Sequence, residues 1–198
     1  MSEITVPDQD MLLLDSLRLK APAQTNRSKW TNRRKSVGLP GAEWWNGSVS
    51  IDVISTESEE RAWRAFLFAL GGPANWFRKR LACDQVVANP TVAAGAGDAY
   101  TMPLAGLGAS GTVLVAGQWL TVPLPSGRYR TVCLVADLVS ASGTGTATFR
   151  PALGEVPTTG ATVEAINPFI ALSPVIDELG LDYSQGVSGA SFDVEESS

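Results

Sequence analysis

Side chains able to do covalent or proton-transfer chemistry are few in this chain. It contains no histidine, which removes Ser-His-Asp and Cys-His nucleophiles, imidazole general bases and ordinary histidine-containing metal sites. Catalysis would have to run on carboxylates, lysine, tyrosine or a thiol. Glu57, Glu59 and Glu60 cluster, but they follow Thr56 at a helix start, where capping and the macrodipole favour negative charge. Asp137 shares an alternation phase with Tyr129 and Thr131, which predicts an outward or rim position, and no second carboxylate is placed to partner it. Gly143-Thr144-Gly145 and Gly95-Ala96-Gly97 lack the following helix and the Gly-Lys-Ser/Thr ending of a phosphate loop and read as turns. Cys83 and Cys133 are too few for a four-cysteine zinc site. They read as buried thiols in a reducing compartment, with a single disulfide as the alternative. No catalytic residue, metal or cofactor is implied, and an enzyme is the least favoured class.

Residues suited to binding are more distinctive. Arg27, Lys29, Arg33, Arg34 and Lys35 form a run of five cations with no intervening acid. Such a run is either a solvated loop or a contact surface for an acidic partner or DNA, because a local patch is felt at close range whatever the total charge. Trp30, Trp44 and Trp76 neighbour polar or basic residues, Trp76 preceding Arg78, Lys79 and Arg80. Aromatics beside arginines fit a protein interface at least as well as carbohydrate or single-stranded nucleic acid. Trp45 and Trp63 fall on apolar faces and read as core, while the side taken by Trp119 is ambiguous.

The elements that must position these residues follow from the remaining pattern. In 198 residues, 44% are hydrophobic and only 18% charged, and the 19 glycines and 12 prolines imply many turns between short strands. A net charge of −5 argues against a whole surface made for nucleic acid. The polar, acidic start and the short apolar stretch 11–14 predict neither secretion nor membrane insertion. Gly38-Leu39-Pro40-Gly41 is a turn signal. Residues 45–54 alternate as a half-buried strand, with Trp45, Val49, Ile51 and Val53 on one face. Thr56 and Glu59 then form a capping box, and Trp63, Phe66, Leu67 and Leu70 give a helical stripe ended by Gly71-Gly72-Pro73. Residues 86–97 read as loop. Strands are predicted at 112–122, 129–139 and 144–150, the last two joined by a hairpin turn at 140–143, with further strands at 162–166 and 186–196. Short strands at this spacing suggest a small closed or nearly closed barrel.

The order of these motifs resembles that of the distal tail proteins of long-tailed bacteriophages. The resemblance is carried by the 38–41 turn, Glu43-Trp44-Trp45-Asn46-Gly47, the helix from Glu57 to Gly72, Trp76-Phe77, Val115-Ala116-Gly117-Gln118-Trp119-Leu120, Tyr129-Arg130-Thr131-Val132, Val135-Ala136-Asp137, the run from Ser142 to Leu153, Asn167-Pro168 and the closing Ala190 to Glu196. It departs at Leu81-Ala82-Cys83-Asp84-Gln85, where similar proteins carry a Leu-Gly-Asp-Pro turn. The resemblance implies a mainly-β chain: a tail-tube-like β-sandwich with one packed α-helix from residues 1–98 and 174–198, and a small β-barrel inserted at 99–173. It further implies a non-enzymatic homohexameric ring at the virion tail tip, assembled in the host cytoplasm. That ring would join the tail tube protein to the tip hub proteins, with DNA passing through its lumen. Its candidate interface residues are Arg27, Lys29, Trp30, Arg33, Arg34, Lys35, Trp44, Trp76, Arg78, Lys79 and Arg80. The alternative reading is a carbohydrate-binding β-sandwich module contacting the host surface.

Overall fold

A computed structural model describes residues 1–39, 42–82, 88–95, 97–108, 110–184 and 187–197. The chain is mainly β with one α-helix. In order come β1 (Leu12–Lys20), β2 (Ala23–Arg27), β3 (Arg34–Gly38), β4 (Trp44–Ile54), α1 (Glu57–Leu70), a 3-10 turn (Gly72–Ala74), β5 (Phe77–Arg80), β6 (Thr91–Val92), β7 (Thr101–Ala105), β8 (Gly111–Leu114) and β9 (Trp119–Pro123). They are followed by β10 (Tyr129–Leu134), β11 (Leu138–Ser140), β12 (Thr144–Arg150), β13 (Phe169–Pro174), β14 (Asp182–Ser184) and β15 (Val187–Glu196). The first sheet runs β1-β4-β15-β13-β5 with β14 on β15, and the second runs β6-β7-β12-β10-β9.

Helix α1 forms where its local signals place it. Thr56 Oγ1 accepts the Glu59 amide at 3.3 Å, and Glu59 Oε2 accepts the Thr56 amide at 3.1 Å, closing the capping box. At the other end Gly71 takes a left-handed φ of 58°, a geometry that glycine adopts without Cβ strain. The buried stripe of Trp63, Phe66, Leu67 and Leu70 packs on the first sheet, with Phe66 5.6 Å from Phe77 and Phe77 6.3 Å from Phe192 between ring centres. Burying each such side chain is worth roughly 1.5–3 kcal/mol, so this stripe fixes the helix across the sheet.

The other face of that sheet is polar. Ser16, Asn46, Ser48 and Ser50 share it with Ser191, Asp193 and Glu195, through the pairings Ser191↔Ser50, Asp193↔Ser48 and Glu195↔Asn46. Alternation in β4 holds from Trp45 to Ile51 and then slips. The pairing with β15 carries one extra residue between Ile51 and Ile54, so Val53 is 61% exposed and Ile54 is buried instead. A bulge reverses the phase beyond it, which corrects the expected inward position of Val53. Gly47 is required by a close approach: a Cβ there would lie 1.9 Å from the Ser16 carbonyl oxygen, beside the irregularity of β1 at Leu14/Ser16.

The second sheet closes on itself. Segment 162–164 bridges Thr91 of β6 and Thr121 of β9, linking the two ends of the strand path into a small barrel around Met102, Leu104, Leu120, Val132 and Phe149. Residues 162–166 therefore act through two isolated bridges and not as a full strand. The expected strand 112–122 is split into β8 and β9 by a turn with Gly117 at φ 94°, and 129–139 is split at Val135–Asp137 into β10 and β11. Strand 144–150 stands as expected, with Gly145 inside it. The preceding hairpin turn places Ser142 and Gly143 at φ 53° and 82°, the two left-handed positions that match strand twist. Residues 91–92, expected in loop, form β6. Sheet membership changes earlier than the boundaries at 98/99 and 173/174 that the resemblance implies, because β6 joins the barrel and β13 joins the first sheet. The readings of Pro40, Gly41, Ala96 and Gly186, of the 83–85 part of the departure, Cys83 included, and of the first two residues of the expected loop 86–97 lie outside the described residues.

Candidate functional site

The cationic run is carried by a hairpin, not a loop. Strands β2 and β3 lie in the chain between β1 and β4 but form a separate two-stranded sheet, pairing only with each other, from Ala23↔Gly38 to Arg27↔Arg34. The tip is closed by Ser28: its amide donates to the Arg33 carbonyl at 3.0 Å and its hydroxyl accepts the Trp30 and Thr31 amides at 3.3 and 3.2 Å. Asn32 supplies a left-handed residue at φ 55°, which its short polar side chain tolerates. Across the arm, Thr25 and Ser36 hydroxyls meet at 3.0 Å. Every residue from 23 to 39 is exposed, and Trp30 at the tip is 96% so. The structure thus brings Arg27, Lys29, Trp30, Arg33, Arg34 and Lys35 onto one projecting arm. Arg27 stands directly opposite Arg34, a like-charge pairing that is unfavourable in an isolated ladder.

The other expected interface residues lie elsewhere. Trp44, half-buried, sits at the foot of the arm with Lys20 Nζ 4.7 Å from its ring centre. Trp76, Arg78, Lys79 and Arg80 lie at the opposite edge of the first sheet, where the chain already engages them. The amino-terminal segment pairs in parallel at Glu3↔Trp76. The Arg78 guanidinium pairs with Glu3 at 2.8 Å and lies 4.5 Å from the Phe169 ring centre and 4.9 Å from that of Tyr129. Lys79 Nζ donates to the Gln9 carbonyl at 2.8 Å, and burial lowers its pKa. Arg78 and Lys79 thus hold the edge strand to neighbouring segments, whereas Arg80 does so through its backbone amide, which donates to Gln9 Oε1 at 3.1 Å, and its side chain is exposed. Trp119 is half-buried and meets Trp45 edge-on at 5.0 Å.

The densest polar cluster was not among the expected sites. Between the first sheet and the barrel, Arg130 Nη1 donates to Glu196 Oε2 at 2.6 Å, with both side chains almost wholly buried. Arg130 also donates to the Ala152 carbonyl at 3.1 Å and to that of Glu43. Glu196 accepts the Thr131 amide at 3.1 Å, and Trp45 Nε1 donates to the Thr131 carbonyl at 2.7 Å. Glu43 accepts the Ala152 amide at 3.0 Å and pairs with Arg150. Burial raises the Glu196 pKa against the opposing pull of Arg130 and the backbone amides. The signal was present in phase: Arg130 alternates with Val132 and Leu134, and Glu196 with Phe192 and Val194, so each charge had to be buried and paired.

Asp137 is exposed and accepts the Ala116 amide at 2.8 Å, a rim position as expected. Glu57 pairs with Arg61 and Glu60 with Arg64 on the helix surface. Cys133 is half-buried, a correction to the buried position expected for it, and that burial raises its pKa. Among the described residues no group of three or more His, Cys, Asp or Glu side chains is arranged to hold a metal ion, and no helix is long and apolar enough to cross a membrane. What the geometry offers is a contact surface, concentrated on the arm. In comparisons with known proteins, neither a family model nor a curated protein matches this chain.

Proposed function

We propose that the chain is a non-enzymatic structural subunit of a bacteriophage tail tip. It would form a homohexameric ring that joins the tail tube to the tip hub around the DNA channel, in the manner of the distal tail proteins its motif order resembles. The observation that carries this reading is the arm. Two strands with no third strand and no packed face are marginal in water, and every residue from 23 to 39 is exposed. An arm of that kind is made to be completed by another molecule. The polar face of the first sheet is of mixed charge: Arg18 and Lys20 share it with the serines, Asn46, Asp193 and Glu195, so the arm, and not this face, carries the reading. The glycan-binding alternative draws less support, because Trp30 is the one tryptophan that stands clear of the body.

Light scattering after size exclusion, with electron microscopy of the same fractions, tests the proposal. The expected result is a closed ring of about six copies, the number implied by the resemblance. A chain that stays monomeric across its soluble concentration range, alone and with tube protein, overturns it.

A further inference from the structure

The arm's charge needs a counterpart. The chain's net −5, less the arm's +5, leaves −10 on everything else. That charge has a polarity along the first sheet. The arm leaves where β1 ends and β4 begins, at Lys20↔Trp44. At the opposite end, where β1 begins and β4 runs into the helix, stand the exposed Asp10, Asp52, Glu57 and Asp182, the last paired with Gly189 at the start of β15. Arg61 on Glu57 and Arg64 on Glu60 and Tyr183 offset two charges there, and Asp10, Asp52 and Asp182 carry the acidic excess. Apolar surface is interleaved with them: Val53 is 61% exposed, Phe68 66% and Tyr183 65%.

We propose that the arm of one copy seats on this opposite pole of a second copy, with its guanidinium and ammonium groups on Asp52, Glu57 and Asp182 and Trp30 against Val53, Phe68 or Tyr183. The inference deepens the ring-subunit reading and rests on it. Three features of the arm converge on such a partner. The Arg27↔Arg34 opposition is relieved by a carboxylate lying between the two cations. A tryptophan fully in solvent among cations is the side-chain type that anchors protein interfaces. The arm's five-residue strands also span about 17 Å, at ~3.3 Å per residue, longer than the screening length of about 8–10 Å in physiological salt, so charges at its foot are screened from the cations at its tip. One arm and one pole per copy make the contact heterologous, the geometry that generates rings or stacks.

The test is reciprocal charge reversal in the full chain, read as assembly by light scattering. Arg27→Glu/Arg34→Glu/Lys35→Glu on the arm and Asp52→Lys/Glu57→Lys/Asp182→Lys on the pole are each expected to weaken self-association about tenfold or more, and all six together to restore it. Wild-type unfolding midpoints for the monomeric variants confirm that each folds. Should the pole triple fail that control, the near-isosteric Asp52→Asn/Glu57→Gln pair replaces it, with a smaller loss expected. Assembly that survives arm reversal, survives pole reversal, or is not restored by the combination overturns the proposal. Arm reversal that abolishes retention on double-stranded DNA but leaves assembly intact also overturns it, in favour of a nucleic-acid partner. A wild-type chain that never associates defeats the ring reading itself, whereas a pole-independent ring defeats only this docking.

Discussion

Two regions of this molecule concentrate arginine, and they treat it in opposite ways. At the junction between sheet and barrel, Arg130 has three oxygen partners closing around it, the Glu196 carboxylate and the Ala152 and Glu43 carbonyls, and the neighbouring carboxylates Glu43 and Glu196 accept backbone amides as well. On the arm, Arg27 and Arg34 face each other with every side chain exposed. Water accounts for the difference. A charge removed from solvent costs several kcal/mol unless it is matched, so the junction is matched in full by groups far apart in sequence. A charge left in water costs little, so the arm is tolerated without a match. Matched charges hold the architecture together, and unmatched ones are available to another molecule.

Removing one half of the buried pair should have the largest effect. Arg130→Ala leaves Glu196 buried without its cation, and a loss of about 3–5 kcal/mol is expected, measured by denaturant unfolding. If instead Arg130→Met with Glu196→Leu is combined in one chain, part of that loss should be recovered, since no charge is left unpaired, the remainder reflecting the Ala152 and Glu43 carbonyls and the Thr131 and Trp45 amides left without partners. A single substitution that costs under 1 kcal/mol would show that the junction is not dry and that the contrast with the arm is weaker than drawn. Next in size is Trp45→Phe. It deletes the Nε1 donor to the Thr131 carbonyl while keeping an aromatic ring beside Trp119, and orphaning that buried acceptor is expected to cost about 1–3 kcal/mol.

These two regions also differ in how well sequence alone exposed them. The helix was legible from end to end, because capping box, apolar stripe and terminal glycine all act within one or two turns. The cation run was visible as composition, yet its hairpin form was not, since no alternating apolar face marks strands that pack on nothing. The junction was missed because its partners are 66 and 107 residues apart and only closure of the barrel against the sheet brings them together. Strands β8 to β11 were merged in pairs because apolar runs continue through the turns at Gly117 and at Val135–Asp137. Strand β1 is hidden because Leu12, Leu13 and Leu14 obscure its alternation, and its pairing depends on β4, with partners from Lys20↔Trp44 to Leu12↔Ile51.

Smaller effects separate buried from exposed carboxylates. Glu196 has its folded pKa raised by burial, so the stability it contributes is present below its unfolded value and lost as pH rises through the folded one. Glu59 behaves oppositely. Its hydrogen bonds with Thr56 lower its pKa, so the cap's contribution is present above the unfolded value and is lost as pH falls through the folded one. Thermal unfolding of Glu59→Gln against wild type should therefore show a gap at neutral pH that closes in acid. A gap independent of pH would mean that the carboxylate charge does not contribute to the cap.

The smallest expected effect on stability belongs to the arm, and it carries the comparison furthest. Arg27→Ala deletes the same functional group as Arg130→Ala. At Arg27, however, the side chain contacts solvent and stands opposite Arg34. No buried partner is orphaned and one cross-strand repulsion is removed, so unfolding of the monomer should move by no more than about 0.5 kcal/mol, and toward greater stability if it moves. Doubling the change with Arg34→Ala should add nothing, because the repulsion is already gone. If either substitution were to destabilise the monomer by more than 1 kcal/mol, the arm would have to be supported by its own body, and its cations would already have their partner within the chain. A neutral result in the monomer joined to weakened self-association would leave one physical role for the arm: its charges are matched only when a second molecule brings the carboxylates.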